Sequence, residues 1–334
     1  MRAIEQDGYG PPAVLRLVEV ERPEAADGQV LVRVHMAATN PLDWHFITGT
    51  PWVLRLMAGR RRPKQPRRGV DMAGVVEAVG AGVTAFRPGD EVFGGGEGAF
   101  ADYVVCRETA LAPVPPGMTF GEAAALPVAA VTALQGLRDH AALRPGQHVL
   151  INGAGGGVGN YAVQIAKYLG GDVTAVCGTH NVDIVRSLGA DHVVDYTETD
   201  VVADAVQRGR RYDAILDNVG NRSLADCRRL LTDDGVLVMV SGPKRNRLLG
   251  PIGRVVRAKL RFLVGRQRAV TFTASETHEE LVALSGLVAE GWLRSVIDRT
   301  YPLEQVAEAI SYLAEGHARG KVLITVAGDQ GPPD

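Results

Sequence analysis

One glycine-rich turn constrains this chain more than any other feature. It has the sequence GAGGGVG at 153–159, after the strand candidate QHVLIN at 147–152 and before 161–169, where apolar residues recur at helical spacing. Such glycines let the backbone approach a pyrophosphate, and the helix N-terminus supplies free N–H groups. This order predicts a dinucleotide-binding unit rather than a bare structural turn. The expected phosphate contacts are Gly155, Gly156, Gly157, Val158 and Gly159.

The second strand of that unit, 173–176, ends without a carboxylate. An NAD-preferring site usually places Asp or Glu there for the ribose hydroxyls. Here the chain continues as CGTHN at 177–181, so the pattern favours NADP(H) over NAD(H). In the alternative interpretation, His180 and Arg186 are solvated residues of a loop and a helix. The cofactor contacts expected at this end are Cys177, Thr179, His180, Asn181 and Arg186.

Length and composition limit the class of protein. A chain of 334 residues exceeds what one hydrophobic core normally organises, so we expect two domains. A formal net charge of −2 gives no global field to attract nucleic acid. Three scattered cysteines suit a reducing compartment, and neither a signal core nor an apolar run long enough to span a bilayer is apparent, so we expect a cytoplasmic protein without stable membrane insertion.

The pattern of elements changes near Thr119. Before it, alternating runs such as 30–35 and frequent Gly or Pro predict an all-β module. After it, Ala-rich helical stretches alternate with β-branched runs, which predicts an α/β domain with a parallel sheet. Helices are expected over 276–292 and 303–315, and a closing strand over 322–326.

Two basic segments each have two possible roles. The run 60–68 is either a solvated loop or a contact for phosphate or a partner. The segment 248–264 mixes basic and apolar residues and predicts a basic amphipathic helix, which either covers the protein surface beside the cleft or lies on a membrane surface.

Several blocks in fixed order give the chain a family resemblance. They are NPLDW (40–44), GVDMAGVVEAVG (69–80), FRPGDEV (86–92), ALPVA (125–129) and the glycine turn with AVQ (162–164). Together they resemble the quinone oxidoreductase branch of the medium-chain dehydrogenases. The resemblance implies a GroES-like β module (1–118, completed by 292–330), a Rossmann module (119–291), an active site between them, a return of 320–326 to the first module, and a homodimer.

The resemblance also implies a zinc-independent protein. Zinc alcohol dehydrogenases of this superfamily have Cys where Asn40 stands and Gly-His-Glu where Gly69, Val70 and Asp71 stand. Asn and Val cannot replace thiolate and imidazole as zinc ligands, and 94–103 lacks the four cysteines of the structural zinc lobe. We therefore expect no metal.

Catalytic candidates come from the first of these blocks. Asn40 either donates its amide to the substrate oxygen or forms an Asx turn before Pro41. Asp43 and Trp44 match family positions near the cleft, although Asp43 also suits a helix cap and Trp44 a core position. Trp52 stands where relatives often have Tyr, which leaves the proton source open.

Further cofactor contacts are expected on the Rossmann side. Asn218 and Ser241 follow sheet strands, where ligands lie outside the carboxyl ends. By resemblance, Thr132 packs on the nicotinamide, and Thr271 and Thr273 line its pocket.

Together these features predict an NADPH-dependent reductase of quinones or α,β-unsaturated carbonyl compounds, which takes a small-molecule substrate and binds no nucleic acid. Two alternatives stay open at this point. One is a zinc-free NADP-dependent alcohol dehydrogenase, and the other is a non-catalytic protein that keeps the cofactor fold as an adaptor.

Overall fold

The computed structural model describes residues 1–241, 250 and 252–326. They form two compact units. The first unit comprises Met1–Val131 and the described residues from Ser275 onward, and the second comprises the described residues of Thr132–Ala274. The boundaries expected from the sequence, 118/119 and 291/292, stay a prediction of domain limits. The helix after the first boundary (Phe120–Ala124) and the helix before the second (His278–Ala289) both pack on strands of the first unit.

The first unit begins with seven short strands, as the alternating pattern predicts. A two-stranded antiparallel sheet pairs the first two, and the others belong to a larger sheet. Their bounds are β1 (Arg2–Glu5), β2 (Arg16–Glu19), β3 (Gln29–Ala38), β4 (Asp71–Val79), β5 (Glu91–Gly95), β6 (Tyr103–Arg107) and β7 (Leu111–Pro113). Three helices interrupt or follow them: α1 (Pro41–Thr48), α2 (Leu54–Ala58) and α3 (Phe120–Ala124).

Helix α4 (Pro127–Gln135) leads from the first unit into the second, where strands and helices alternate. The strands are β8 (His148–Asn152), β9 (Asp172–Cys177), β10 (His192–Asp195), β11 (Tyr212–Asp217), β12 (Leu231–Met239) and β13 (Arg268–Thr271). The helices are α5 (Gly157–Tyr168), α6 (Val182–Ser187), α7 (Val201–Gln207), α8 (Leu224–Leu230) and α9 (Ile252–Arg261). Helix α9 confirms the amphipathic helix expected over 248–264 in part, since 248, 249 and 251 lie outside the described residues.

The six strands formed by the described residues of the second unit run parallel, in the order β10-β9-β8-β11-β12-β13. This is the doubly wound arrangement, in which the order reverses between β8 and β11. The central strands β8, β9 and β11 are buried nearly throughout, which agrees with their continuous apolar runs. The predicted α/β class is confirmed, and ligands are expected at the carboxyl ends of β8 and β11.

The chain then completes the first unit with α10 (His278–Ala289), β14 (Ile297–Pro302), α11 (Val306–Glu315) and β15 (Lys321–Thr325). The larger sheet has the order β14-β15-β3-β4-β5-β7, with β6 also paired to β3. Strand β15 lies antiparallel to β3, which confirms the predicted return of 320–326. Among the described helices, none is both long and apolar enough to cross a bilayer.

Candidate functional site

The glycine turn leaves β8 and enters α5 in a conformation that requires glycine. Gly153 has a φ of +81°, which side chains other than glycine rarely adopt. A Cβ on Gly159 would lie 2.1 Å from the carbonyl oxygen of Gly153 and 2.6 Å from the Cα of Ala154. The first turn of α5 therefore packs directly on the turn backbone, which no larger residue allows.

The N-terminus of α5 has the form of an anion site. Gly156 is its N-cap residue and supplies no side-chain cap, so the first N–H groups of the helix are not covered by a side chain. A Cβ on Gly156 would meet only the Gly153 carbonyl oxygen, 3.7 Å away, so the space above it is open. Free N–H groups, helix charge and open space together fit a pyrophosphate. The predicted contacts Gly155, Gly156, Gly157, Val158 and Gly159 lie together here.

The end of β11, next to the turn, is organised by the buried carboxylate of Asp217. Its Oδ1 accepts hydrogen bonds from the Asn152 amide at 2.8 Å and from the Gly220 N–H at 2.9 Å. Arg254 donates to its Oδ2 at 2.8 Å, from a side chain that is itself buried. This network holds the loop after β11 against the end of β8.

Asn218 follows Asp217 and differs from it in one respect. Both polar atoms of its side-chain amide are buried, yet neither has a hydrogen-bond partner among the described residues. An unpaired buried amide costs about 1–3 kcal/mol. A ribose hydroxyl, which both donates and accepts, would satisfy it, so this residue fits the nicotinamide cofactor that the glycine turn predicts.

The end of β9 brings together only some of the residues predicted there. A Cβ on Gly155 would lie 2.6 Å from the Asn181 amide, so Asn181 borders the glycine turn. His180 and Thr179 are exposed beside it. Cys177 is buried, and burial raises the pKa of its thiol to about 11. Arg186 lies on α6 and pairs with Asp183 at 3.4 Å, which supports the interpretation as a solvated helix residue.

The sequence-based reasoning missed two residues at the end of β10. Asp195 accepts a hydrogen bond from the Thr197 hydroxyl at 2.8 Å, and the Thr179 side chain lowers the pKa of Asp195. The Tyr196 hydroxyl lies 3.1 Å from where a Cβ on Gly178 would stand, and the ring is 56% exposed. The carboxyl ends of neighbouring parallel strands lie at the same edge of a sheet. This rule could have predicted that residues after β10 lie beside those after β9.

The remaining cofactor candidates are dispersed over the second unit. Thr132 is buried in α4, whereas Ser241 is exposed just beyond β12. Thr271 ends β13, and both it and Thr273 are exposed, while the Phe272 ring between them lies against the His140 ring, tilted by 33° with 4.2 Å between centroids. These positions agree with the carboxyl side of the sheet for Ser241 and Thr271, and their contact with the cofactor stays a prediction.

The catalytic candidates lie in the first unit, where Asn40 is the N-cap residue of α1. Asp43 accepts the Asn40 N–H at 2.7 Å, so Asp43 does cap the helix as one interpretation predicted. It is buried, and burial raises the pKa of its carboxyl to about 7. Trp44 is half-buried and packs on the core, whereas Trp52 is 52% exposed.

The side chain of Asn40 makes contacts that neither interpretation predicted. Its amide donates to Asp71 Oδ2 at 2.9 Å, and its carbonyl oxygen accepts from the Lys321 ammonium at 2.7 Å. Lys321 also donates to Asp71 Oδ2 at 3.1 Å, and the Val128 N–H donates to Asp71 Oδ1 at 3.2 Å. Asn40, Asp71 and Lys321 are 2%, 0% and 3% exposed. We call these three residues the ammonium cluster.

Glu276 adds a second carboxyl beside the ammonium cluster. Its Oε2 lies 2.7 Å from where a Cβ on Gly95 would stand, and Val70 is the next neighbour of that position. Burial and the nearby Asp71 raise the pKa of Glu276 to about 8. Any residue larger than glycine at position 95 would displace this carboxyl.

A zinc ion does not fit this arrangement. The family's ligand positions hold the Asn40 amide, the aliphatic Val70 and Asp71, and an ammonium lies between the first and the last. A cation adjacent to the only carboxylate of the set opposes a dication electrostatically. Within the described ranges, no group of three or more His, Cys, Asp or Glu side chains could hold a metal.

The basic run 60–68 is not a uniformly solvated loop, contrary to one expectation. Arg60, Arg61 and Arg62 are exposed, but Arg68 is only 8% exposed and donates to the Gln65 carbonyl. Burial lowers the pKa of Arg68, and the nearby Asp43 opposes that shift. Arg68 is thus part of the first unit's interior.

Comparisons with known proteins agree with this geometry. Residues 26–116 match the alcohol dehydrogenase GroES-like domain, and 188–324 match a zinc-binding dehydrogenase model. The chloroplastic quinone-oxidoreductase QR1 of Triphysaria versicolor is 34% identical over 97% of this chain and 98% of its own length. The trans-enoyl reductase pgmF of Aspergillus terreus is 33% identical over 89% of this chain and 86% of its own.

A solved structure is similar across its whole length. Quinone oxidoreductase of Escherichia coli, complexed with NADPH, superposes with a TM-score of 0.83 at 25% identity and covers 98% of this chain and 100% of its own. The GroES-like and Rossmann folds expected from the resemblance are therefore confirmed. The chain belongs to the medium-chain dehydrogenase/reductase family, in its quinone oxidoreductase branch, and is an NAD(P)-dependent oxidoreductase.

Proposed function

We propose that the protein is an NADPH-dependent, zinc-independent reductase of quinones or α,β-unsaturated carbonyl compounds. The observation that carries the proposal is the ammonium cluster, in which two of the family's metal-ligand positions, Asn40 and Asp71, are hydrogen-bonded to each other and to the Lys321 ammonium. A site without a Lewis acid depends on hydrogen bonds to polarise its substrate. Conjugated acceptors suit such a site because the charge that develops on them is spread over several atoms.

The cofactor preference rests on the carboxyl ends of β9 and β10. At the end of β9, the exposed His180 and the bordering Asn181 are available to a 2′-phosphate, and Tyr196 adds a hydroxyl from β10. The negative charge of Asp195 would repel a 2′-phosphate, but its carboxylate already accepts hydrogen bonds from Thr179 and Thr197. The Escherichia coli relative complexed with NADPH supports the same preference.

Residues of the first unit supply the remaining chemistry. A bound nicotinamide supplies the hydride. Asn40 uses one amide hydrogen on Asp71, and the second is the donor we assign to the substrate oxygen. Glu276 holds a proton at neutral pH because its pKa is raised to about 8, so we assign it the proton that the reduced product requires. Asp43 and Trp44 position α1 rather than contact the substrate. A cytoplasmic location and a homodimer stay predictions.

The test is a spectrophotometric panel with the purified chain. We expect NADPH oxidation with quinones or enones, weaker activity with NADH, and no NADP⁺ reduction with simple alcohols. Adding a chelator should leave the rate unchanged, and Glu276→Gln should remove the alkaline limb of the rate profile while NADPH affinity stays the same. Equal affinity for NADH and NADPH, or turnover of alcohols alone, contradicts the proposal.

A further inference from the structure

Helix α9 has two faces of different character. Arg254, Ala258 and Phe262 follow at four-residue spacing and are buried against the second unit. On the opposite side, Ile252, Val256 and Leu260 keep the same spacing and are 40%, 50% and 64% exposed. Two more aliphatic residues, Leu263 and Val264, extend this row past the end of the helix and are over 70% exposed. We call these five residues the aliphatic row.

The helix is held firmly by its buried face. Arg254 pairs with Asp217 at 2.8 Å, and both side chains are buried. At the other end, the Arg228 guanidinium donates to the carbonyl oxygens of Arg261 at 2.7 Å and Val264 at 3.2 Å. The exposed orientation of the aliphatic row is therefore fixed by packing and hydrogen bonds on the opposite face.

The charge of the segment that contains α9 is of one sign. The sequence 242–270 contains no Asp or Glu, although the chain as a whole is weakly acidic. Arg257, Lys259 and Arg261 flank the aliphatic row, are exposed, and form no ion pair among the described residues. Arg257 and Arg261 also line a groove of about 560 Å³ beside Leu260. Unpaired cations alternate here with exposed aliphatic side chains.

We propose that this face of α9 docks on the surface of a lipid bilayer rich in anionic phospholipid. Aliphatic side chains that project between basic ones match the apolar interior and the negative headgroups of such a surface. Helix α9 lies on the surface and does not span it.

Two other occupants fit the observations less well. A second copy of this chain would bring the same basic face against itself in a two-fold interface, where like charges repel. Nucleic acid would neutralise the arginines, but it offers nothing to a row of aliphatic side chains, since its bases stack on aromatic ones. Of these three occupants, the anionic bilayer satisfies both the charge and the apolar row.

The test is sedimentation of the full chain with vesicles of phosphatidylcholine alone or mixed with phosphatidylglycerol. We expect binding to the anionic vesicles only, weakened by salt. Arg257→Gln/Lys259→Gln should lower the partition coefficient roughly fivefold per charge removed. Val256→Ser/Leu260→Ser should lower it roughly tenfold or more. The control is Val206→Ser on α7, which is 75% exposed in the same unit and should bind like the unaltered chain.

Circular dichroism and NADPH titration of each variant distinguish a loss of docking from a loss of folding. Both should be unchanged, because every altered side chain is exposed. The proposal is overturned if the unaltered chain does not sediment with anionic vesicles at low salt, or if both double variants bind as it does. It is also overturned if Val256→Ser/Leu260→Ser converts an oligomer to monomer without changing vesicle binding, or if a polynucleotide competes fully and the aliphatic substitutions have no effect.

Discussion

Replacement of Lys321 is the most informative test of the buried contacts in the first unit. Its ammonium is buried and donates to Asn40 at 2.7 Å and to Asp71 at 3.1 Å. Replacement by Met keeps the aliphatic stem but removes the charge and both hydrogen bonds. Asp71 then keeps only the donors from Asn40 and Val128 inside a fully buried site.

The expected cost follows from the geometry. At an effective dielectric constant of about 20, two unit charges about 3 Å apart attract by roughly 5 kcal/mol. Removing one partner of a buried pair typically costs about 3–5 kcal/mol, because the other charge loses its compensation. We therefore expect Lys321→Met to lower the free energy of unfolding of the first unit by about 3–5 kcal/mol. The loss should be smaller in acidic buffer, where Asp71 takes up a proton instead.

Tryptophan fluorescence during urea unfolding measures this quantity selectively. All three tryptophans of the chain, Trp44, Trp52 and Trp292, lie in the first unit. The double variant Asp71→Asn/Lys321→Met should recover part of the loss, since no unpaired charge remains. The control is Glu77→Gln at the exposed Arg22–Glu77 pair, where we expect a loss of at most about 1 kcal/mol.

Two results would refute the reasoning about Lys321. One is a loss for Lys321→Met no larger than that of Glu77→Gln. The other is strict additivity, in which the double variant loses the sum of the two single losses. Either would mean that the ammonium and the carboxylate do not stabilise each other in the folded chain.

Two further predictions concern the glycine turn and the helix cap. Gly159→Ala should weaken NADPH binding by roughly tenfold or more in a fluorescence titration, because its Cβ would lie 2.1 Å from the Gly153 carbonyl oxygen; unchanged affinity would contradict the packing described. Asp43 has a pKa raised to about 7, so the folded state favours the protonated form and stability should fall as the pH rises from about 4 to 7. Asp43→Asn should flatten that part of the stability profile by up to about 4 kcal/mol, and an unaltered slope would show that the carboxyl ionises freely.

The sequence pattern was sufficient to predict the structure wherever a single strand, turn or helix determines it. The strand, glycine turn and helix around 153–159 were predictable, although α5 begins at Gly157 rather than near Tyr161, because glycines carry no apolar periodicity. The end of β9 was placed correctly, whereas the contact of Arg186 with the cofactor stays a prediction, since Arg186 lies on α6 and pairs locally with Asp183. A sequence shows that an arginine is near a site, and only the fold shows where it points.

The sequence pattern could not predict contacts between segments that are distant in the chain. Lys321 and Asp71 are 250 positions apart, and a single lysine at the start of a closing strand reads as an ordinary surface residue. The two meet because β15 and β4 both lie against β3, so three strands bring the ends of three segments together. The fold therefore determines that a lysine ammonium lies against Asn40 and Asp71, at two of the family's zinc-ligand positions.

The position of that ammonium limits what it can do in the proposed reaction. A catalytic zinc keeps one coordination site open for the substrate, whereas two of the three Lys321 donors are engaged by Asn40 and Asp71. In the proposed reaction we assign Lys321 an indirect role, through its field and by fixing the Asn40 amide. A field and one amide donor stabilise a small charge spread over several atoms better than the concentrated alkoxide of a simple alcohol. The contacts that do not fit a zinc ion thus also support the proposed preference for a conjugated acceptor over an alcohol.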